Sequence, residues 1–253
     1  GANGWTATLV KDASGKTQQE INNSRIKTID SFANITDALN WVKTDVNNYL
    51  YAKAGVTYTL PNNTTLFFSR VVCPEGEATF IVPSDTYLNF LEKTDGSEVF
   101  ALKNLRILVA GHRNTLTTST TYLYSTPYLS IIRKADLQNL KIYGLTDINN
   151  IDSWQDDTNM TRMSGVGGYK VIESSTVKNI KMYGSAFLLM IDCTNNNATH
   201  EEQDIYAYNA ETVIYHPMST WKSGYARNIN IINNLAQRDY WTKRYAAVPL
   251  GRN

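Results

Sequence analysis

The chain has 253 residues, 42% of them hydrophobic, enough to bury a substantial core in one elongated domain or two small ones. Lys and Arg total 24 against 23 Asp and Glu, so no net field draws the chain to nucleic acid or an anionic membrane. No apolar run approaches the roughly 20 residues that span a bilayer, and the 2 cysteines, Cys73 and Cys193, exclude a dense disulfide framework while leaving one bridge open. The 16 Tyr and 5 Trp make carbohydrate a candidate ligand, because such side chains combine an apolar face with a polar tip. The opening Gly1-Ala2-Asn3-Gly4-Trp5 lacks Met and a signal-peptide core, so the chain is expected to be a fragment whose catalytic residues can lie elsewhere.

Residues 1–30 are polar, with turn signals at Asn3-Gly4 and Ser14-Gly15 and a short helical stretch around Gln18 to Ile26. They read as a connector to a missing domain, ahead of a domain over 31–253. From Ser31 to Val46, Ile35, Ala38, Leu39, Val42 and Val46 fall at helical spacing, and Asn34 can cap with Asp37 in the first turn. Tyr49 to Tyr58 and Thr64 to Val72 are rich in β-branched and aromatic residues and are punctuated by Gly55, Pro61-Asn62-Asn63 and Pro74-Glu75-Gly76, which predicts strands and tight turns up to Val82.

From Leu102 an internal repeat appears: Leu102-Lys103-Asn104-Leu105-Arg106-Ile107, Leu137-Gln138-Asn139-Leu140-Lys141-Ile142, Val177-Lys178-Asn179-Ile180-Lys181-Met182 and Ala226-Arg227-Asn228-Ile229-Asn230-Ile231. Glu202-Gln203-Asp204-Ile205-Tyr206-Ala207 is a degenerate copy. The starts at 102, 137, 177, 202 and 226 are 35, 40, 25 and 24 residues apart, too far for hairpins and long enough for a three-strand coil with loops. This predicts an all-β fold, a right-handed parallel β-helix with an N-terminal capping α-helix at Asn34 to Val46. Stacked copies would place Asn104, Asn139, Asn179 and Asn228 in an internal column of amides, with Asp204 replacing one. The alternative is that each Asn merely starts a strand after a turn.

The helix Thr36 to Val42 followed by Leu50 to Leu60, with Gly55-Val56-Thr57-Tyr58, resembles the opening of pectate-lyase-like β-helices. Leu9 to Asn22 resembles the connector of bacteriophage tailspikes, between the particle-attachment domain and the β-helix. The segment Thr28 to Asn34 departs from the aspartate-rich opening of that family. The resemblance implies a trimeric virion protein, extracellular, attached to other tail proteins, that binds and often cleaves a bacterial capsule or O-antigen polysaccharide. The charge balance and the lack of a long apolar run predict no nucleic-acid partner and no membrane insertion, and no cofactor is expected.

Glycoside hydrolysis generally uses two carboxyl groups. The longest interval carries the insertion Asp147 to Asp157, which combines acids with Trp154, so Asp156 and Asp157 are the first catalytic candidates; the plainer alternative is a solvated loop whose Asp residues cap turns. A second cluster is His200 to Asp204 with Glu211 and His216, where stacking could bring Glu211 near Glu173; exposed surface charge is its commoner fate. Trp154, Tyr169, Trp221 and Tyr225 are candidate sugar platforms, with core or subunit contacts as the competing role. Gly165 to Gly168 lacks the Lys-Ser/Thr of a phosphate loop, and His112, His200 and His216 lack zinc-ligand spacing, so no metal site is supported. Two further readings stay open: a non-catalytic structural and trimerisation segment, and a secreted polysaccharide lyase with a carboxylate-held Ca²⁺ and a basic residue abstracting a proton.

Overall fold

The computed structural model describes residues 11–90, 92–93, 95–110, 130–153, 169–193, 198–215 and 223–232. Helix α1 (Gln18–Ser24) and strand β1 (Ile26–Thr28) lead to helix α2 (Ile35–Lys43). Six short strands follow: β2 (Tyr49–Tyr51), β3 (Thr57–Thr59), β4 (Thr64–Phe67), β5 (Val71–Val72), β6 (Ala78–Val82) and β7 (Thr86–Asn89). Five longer ones complete the described chain: β8 (Val99–Ala110), β9 (Ser130–Leu145), β10 (Tyr169–Cys193), β11 (Thr199–Tyr215) and β12 (Ser223–Ile232). Ten of these strands form one sheet and β4 and β7 form a second, every named pair being parallel.

The register joins the repeat copies directly, Leu102, Leu137, Val177, Glu202 and Ala226 being successive Cα partners. The row also continues upstream through Val71, Leu50 and Lys27. The periodic unit therefore begins well before Leu102, where shorter strands and the absence of an Asn hide it from a motif search. Ile26–Thr28, within the segment expected to be a connector, is already part of the sheet.

Each copy turns on one residue. Asn104, Asn139, Asn179, Asp204 and Asn228 all have φ between 53° and 58°, a left-handed conformation that Asn and Asp tolerate better than other side chains. That single residue interrupts the two-residue alternation of a strand. Leu102 and Leu105 both point into the core, as do Leu137 with Leu140 and Val177 with Ile180, while the two residues between them face outward. Strand β8 consequently takes two partners, β5 before Asn104 and β6 after it. Each buried Leu or Ile in these rows contributes about 1.5–3 kcal/mol.

The amides do form a file. Asn104 donates to the Cys73 carbonyl at 2.6 Å, Asn139 to Asn104 Oδ1 at 2.7 Å, and Asn179 to Asn139 Oδ1 at 2.9 Å. Yet the file runs along the outside of the bend and not within the core, as Asn139 and Asn179 are exposed. The left-handed residue puts its side chain with its outward neighbour, which corrects the expected internal column. The file is also interrupted. Asp204 accepts from Asn228 at 2.8 Å and from Gln203 at 2.8 Å, and these bonds, the Asn228 one foremost, hold its carboxyl below the usual range. An ionised carboxylate has no proton to give the Asn179 carbonyl above it.

Helix α2 starts as expected, Asn34 accepting from the Asp37 amide at 2.9 Å, and buries Ala38, Leu39 and Val42. It ends at Lys43 rather than Val46, because Thr44 bonds back to Trp41 and Asp45 organises the next turn by accepting from Asn47. At this end the core holds a charge. Arg70, fully buried, pairs with buried Glu98 at 2.8 Å and donates to the carbonyls of Val42 at 2.8 Å, Asn48 at 3.1 Å and Val99 at 3.3 Å. One guanidinium thus ties the last turn of α2 to the segments before β2 and at the start of β8. Cys73 is buried and free.

Two outcomes follow for stability. Arg70→Met or Glu98→Leu alone should cost about 3–5 kcal/mol by stranding a buried charge, and the paired Arg70→Met/Glu98→Leu change should cost less than the two singles combined; urea unfolding of the three variants measures this, and additive losses would contradict it. Asp204→Asn should raise the thermal midpoint by restoring a donor to the amide file, whereas Asp204→Ala should lower it.

Candidate functional site

Beyond the left-handed residue the strands resume their alternation, and their outward positions line up across the sheet. Arg106, Lys141, Lys181, Tyr206 and Asn230 are successive Cα partners, and so are Leu108, Tyr143, Tyr183, Tyr208 and Ile232. A row of cations therefore runs beside a row of tyrosines. Tyr143 and Tyr183 stack at 4.4 Å between centroids with 16° between their planes, and Tyr206 lies 5.9 Å from Tyr183.

The chain leaving β9 builds the opposite wall. Asp147 accepts from the Asn149 amide at 2.9 Å and from its side chain at 3.2 Å, turning the chain into a short 3-10 segment at Ile151–Ser153. Between Ile151 and Asp152 on one side and Arg106, Lys141, Lys181, Tyr143 and Tyr183 on the other lies a cleft of about 260 Å³. A smaller hollow of about 180 Å³ shares Lys141 and Lys181 with it and reaches Glu77, Asn139 and Asn179. The two together run from the tyrosines to the amide file.

Glu77 sets the charge of the hollow. It accepts from Arg106 at 2.8 and 3.0 Å and from Lys141 at 2.7 Å. Burial pushes its carboxyl up, but the hydrogen bonds and charges of Lys141 and Arg106 more than reverse this and leave it below the usual carboxylate range. Tyr183 moves the other way. Burial first, then the neighbouring Tyr143, to which it is hydrogen-bonded, holds its hydroxyl well above the ordinary value, so it stays protonated. The cleft thus offers hydroxyl donors, ammonium and guanidinium groups and the carboxylate of Asp152, a set suited to a polar ligand rich in hydroxyl groups.

Of the site residues expected from sequence, the described residues include Glu173, Glu211, Tyr169 and Tyr225, and none of these four lines the cleft. Trp154, Asp156, Asp157 and Trp221 lie outside the described residues, although Asp152, four positions before Asp156, borders the cleft. Glu173 is exposed and pairs with Lys134 at 3.4 Å. Glu211 is placed by its backbone: Ser185 pairs with Ala210 and Phe187 with Thr212, so residue 211 lies opposite 186, and 186 minus 173 puts it thirteen positions along β10 from Glu173. Stacking does not bring those two acids side by side. Tyr169, also placed by backbone, pairs with Ser130 at the start of β10. Tyr225 lies on the other side of the amide file, under Arg227 at 4.9 Å.

The cluster around His200 divides between core and surface. Glu201 faces out and pairs with Lys178 at 2.7 Å, whereas His200 and Glu202 are buried with Nε2 and Oε1 2.7 Å apart. Both follow the inward phase set by Ser175 and Val177 on β10, which corrects the expectation of surface charge for these two.

Reasoning from acids and aromatics in loops missed the cleft. Its signal lay within the repeat itself, a cation two residues after the Asn at 106, 141 and 181 and a Tyr four residues after the Asn or Asp at 143, 183 and 208. Searches of family models, curated proteins and solved structures found no match.

Ionisation of Glu77 should be visible in the pH dependence of stability. A carboxyl lowered in the folded state contributes stability that is complete above its ordinary value of 4.5 and is lost as pH falls through the folded-state value. The thermal midpoint of Glu77→Gln should therefore lie below that of the parent at pH 7, with the gap closing below about pH 4; a gap independent of pH would contradict the ion-pair account.

Proposed function

We propose that the chain is a right-handed parallel β-helix of the bacteriophage tailspike kind, which binds a bacterial surface polysaccharide in the cleft between the tyrosine row and Ile151–Asp152. The winding is supported by the unbroken parallel register from Lys27 to Ala226, by the two partners of β8 and by the separate β4–β7 pair, which together suit a chain wound over three faces. Parallel crossovers are right-handed in about 98% of cases. Helix α2, clasped by Arg70, serves as the cap. Extracellular placement on the virion, trimeric assembly and attachment to other tail proteins accompany this proposal.

The observation that carries the ligand is the in-register pairing of Tyr143 and Tyr183 with Arg106, Lys141 and Lys181 along one cleft. A wound scaffold repeats its outward positions at the strand spacing of about 4.8 Å, so a row of donors can follow an extended chain of sugars. Cleavage by acid/base chemistry needs a second carboxyl group beside Asp152, and Glu77 is held ionised by two cations, unsuited to donating a proton. Asp156 and Asp157 are the residues to test for that role. The separation of Glu173 from Glu211, and the engagement of Glu77, favour a second possibility, a tailspike segment that binds and trimerises without cleaving.

Purified bacterial capsules and O-antigens, scored for binding and for new reducing ends, separate these outcomes. Tyr143→Ala should weaken binding about tenfold, with Tyr143→Phe losing less. Asp156→Asn or Asp157→Asn should abolish reducing-end release with binding intact if the chain is a depolymerase, and unchanged turnover in both assigns cleavage elsewhere. Absence of binding and of cleavage across a broad panel would overturn the polysaccharide assignment.

A further inference from the structure

Building on that saccharide assignment, we infer that Lys181 selects an acidic sugar, its ammonium pairing with a carboxylate or phosphate carried by the bound polysaccharide. Arg106, Lys141 and Lys181 are consecutive Cα partners, so three cations stand about one strand spacing, 4.8 Å, apart. Like charges placed directly across neighbouring strands are unfavourable. Glu77 offsets the first two, accepting from Arg106 and from Lys141. Two cations on the other side of the amide file are answered as well, Lys103 by Asp136 at 2.7 Å and Lys178 by Glu201 at 2.7 Å.

Within its row of cations Lys181 is the exception. It is exposed and makes no ion pair among the described residues, and the next members of its row, Tyr206 and Asn230, are uncharged. Asp152 borders the same cleft and leaves Lys181 without an ion pair. Lys181 also belongs to both hollows, flanked by the tyrosines in one and by Asn139 and Asn179 in the other. A neutral sugar would leave three neighbouring cations facing Glu77 and Asp152, with Glu77 paired to the first two and no carboxylate paired to Lys181. An anionic substituent beside Lys181 supplies its counter-charge, while the Tyr143 hydroxyl and the two amides can meet ring hydroxyls around it.

The test uses the full chain and an array of bacterial surface polysaccharides immobilised as matched pairs: uronate-bearing glycans with their carboxyl-reduced forms, and phosphate-bearing glycans with their dephosphorylated forms. Binding should be confined to acidic members and fall tenfold or more on neutralisation, and whichever pair shows the fall identifies the anion as carboxylate or phosphate. Lys181→Gln should abolish that difference and Lys181→Arg should retain it. The thermal midpoint of Lys181→Gln should equal or exceed that of the parent, since a like-charge contact is removed and no ion pair is lost. Equal binding of native and neutralised glycans, or full acid preference in Lys181→Gln, would overturn the role of Lys181 and leave polysaccharide binding standing. Failure to bind any member would overturn both.

Discussion

An L-amino acid held at φ near +55° is uncommon because its Cβ crowds the backbone, and five such residues in register are costly unless the fold depends on them. Here they decide which side chains go inside. A strand alternates strictly; one left-handed residue shifts the phase by one, so that Leu102 and Leu105, separated by two residues, both reach the core and Lys103 and Asn104 both face out. Everything beyond the bend inherits that phase. Were position 139 extended, Leu140 and Ile142 would turn outward while Lys141 and Tyr143 turned inward, and neither the core nor the cleft would exist.

Asparagine suits the position for two reasons. It tolerates the left-handed region, as glycine does, and its amide both donates and accepts, so each level can bond to the one before. Glycine would give only the first. Asp204 keeps the backbone geometry and loses the donor, which is why the file stops between Asn179 and Asp204 and resumes to Asn228. The other end is organised differently. There Arg70 gathers carbonyls from α2, from the chain before β2 and from β8 around a buried ion pair with Glu98, coupling the helix to strands that have no amide file of their own. Such a pair adds little net stability over an apolar core, yet its several specific partners fix how the helix sits.

The parallel strands, the cap-like helix with its Asn34 start and the stacking of the repeat copies were legible in the sequence because each has a short-range signature, a period, a capping residue or a recurring hexapeptide. The upstream rows at Leu50 and Val71 were not, since two- and three-residue strands carry too little pattern to align by eye. The inward turn of His200 and Glu202 was missed because charge was weighed ahead of strand phase, although Glu202 holds the repeat position that Leu102, Leu137 and Val177 fill with a buried apolar side chain. The cleft was missed for a related reason. Arg106, Lys141, Lys181, Tyr143 and Tyr183 are ordinary as single residues, and become a surface only when the register places them side by side. An acidic loop is contiguous in the sequence, while the residues of the cleft that belong to the repeat spread over 78 positions, from 106 to 183.

The outward rows beyond the amide file are the proposed saccharide groove. A crystal structure of the protein with an oligosaccharide cut from a polysaccharide it binds tests this most directly. Sugar density is predicted along Tyr143 and Tyr183, between Lys181 and Asp152 and extending toward Asn139 and Asn179. Density confined to the opposite side of the amide file, over Tyr225 and Arg227, or found only on a surface remote from these rows, would contradict it.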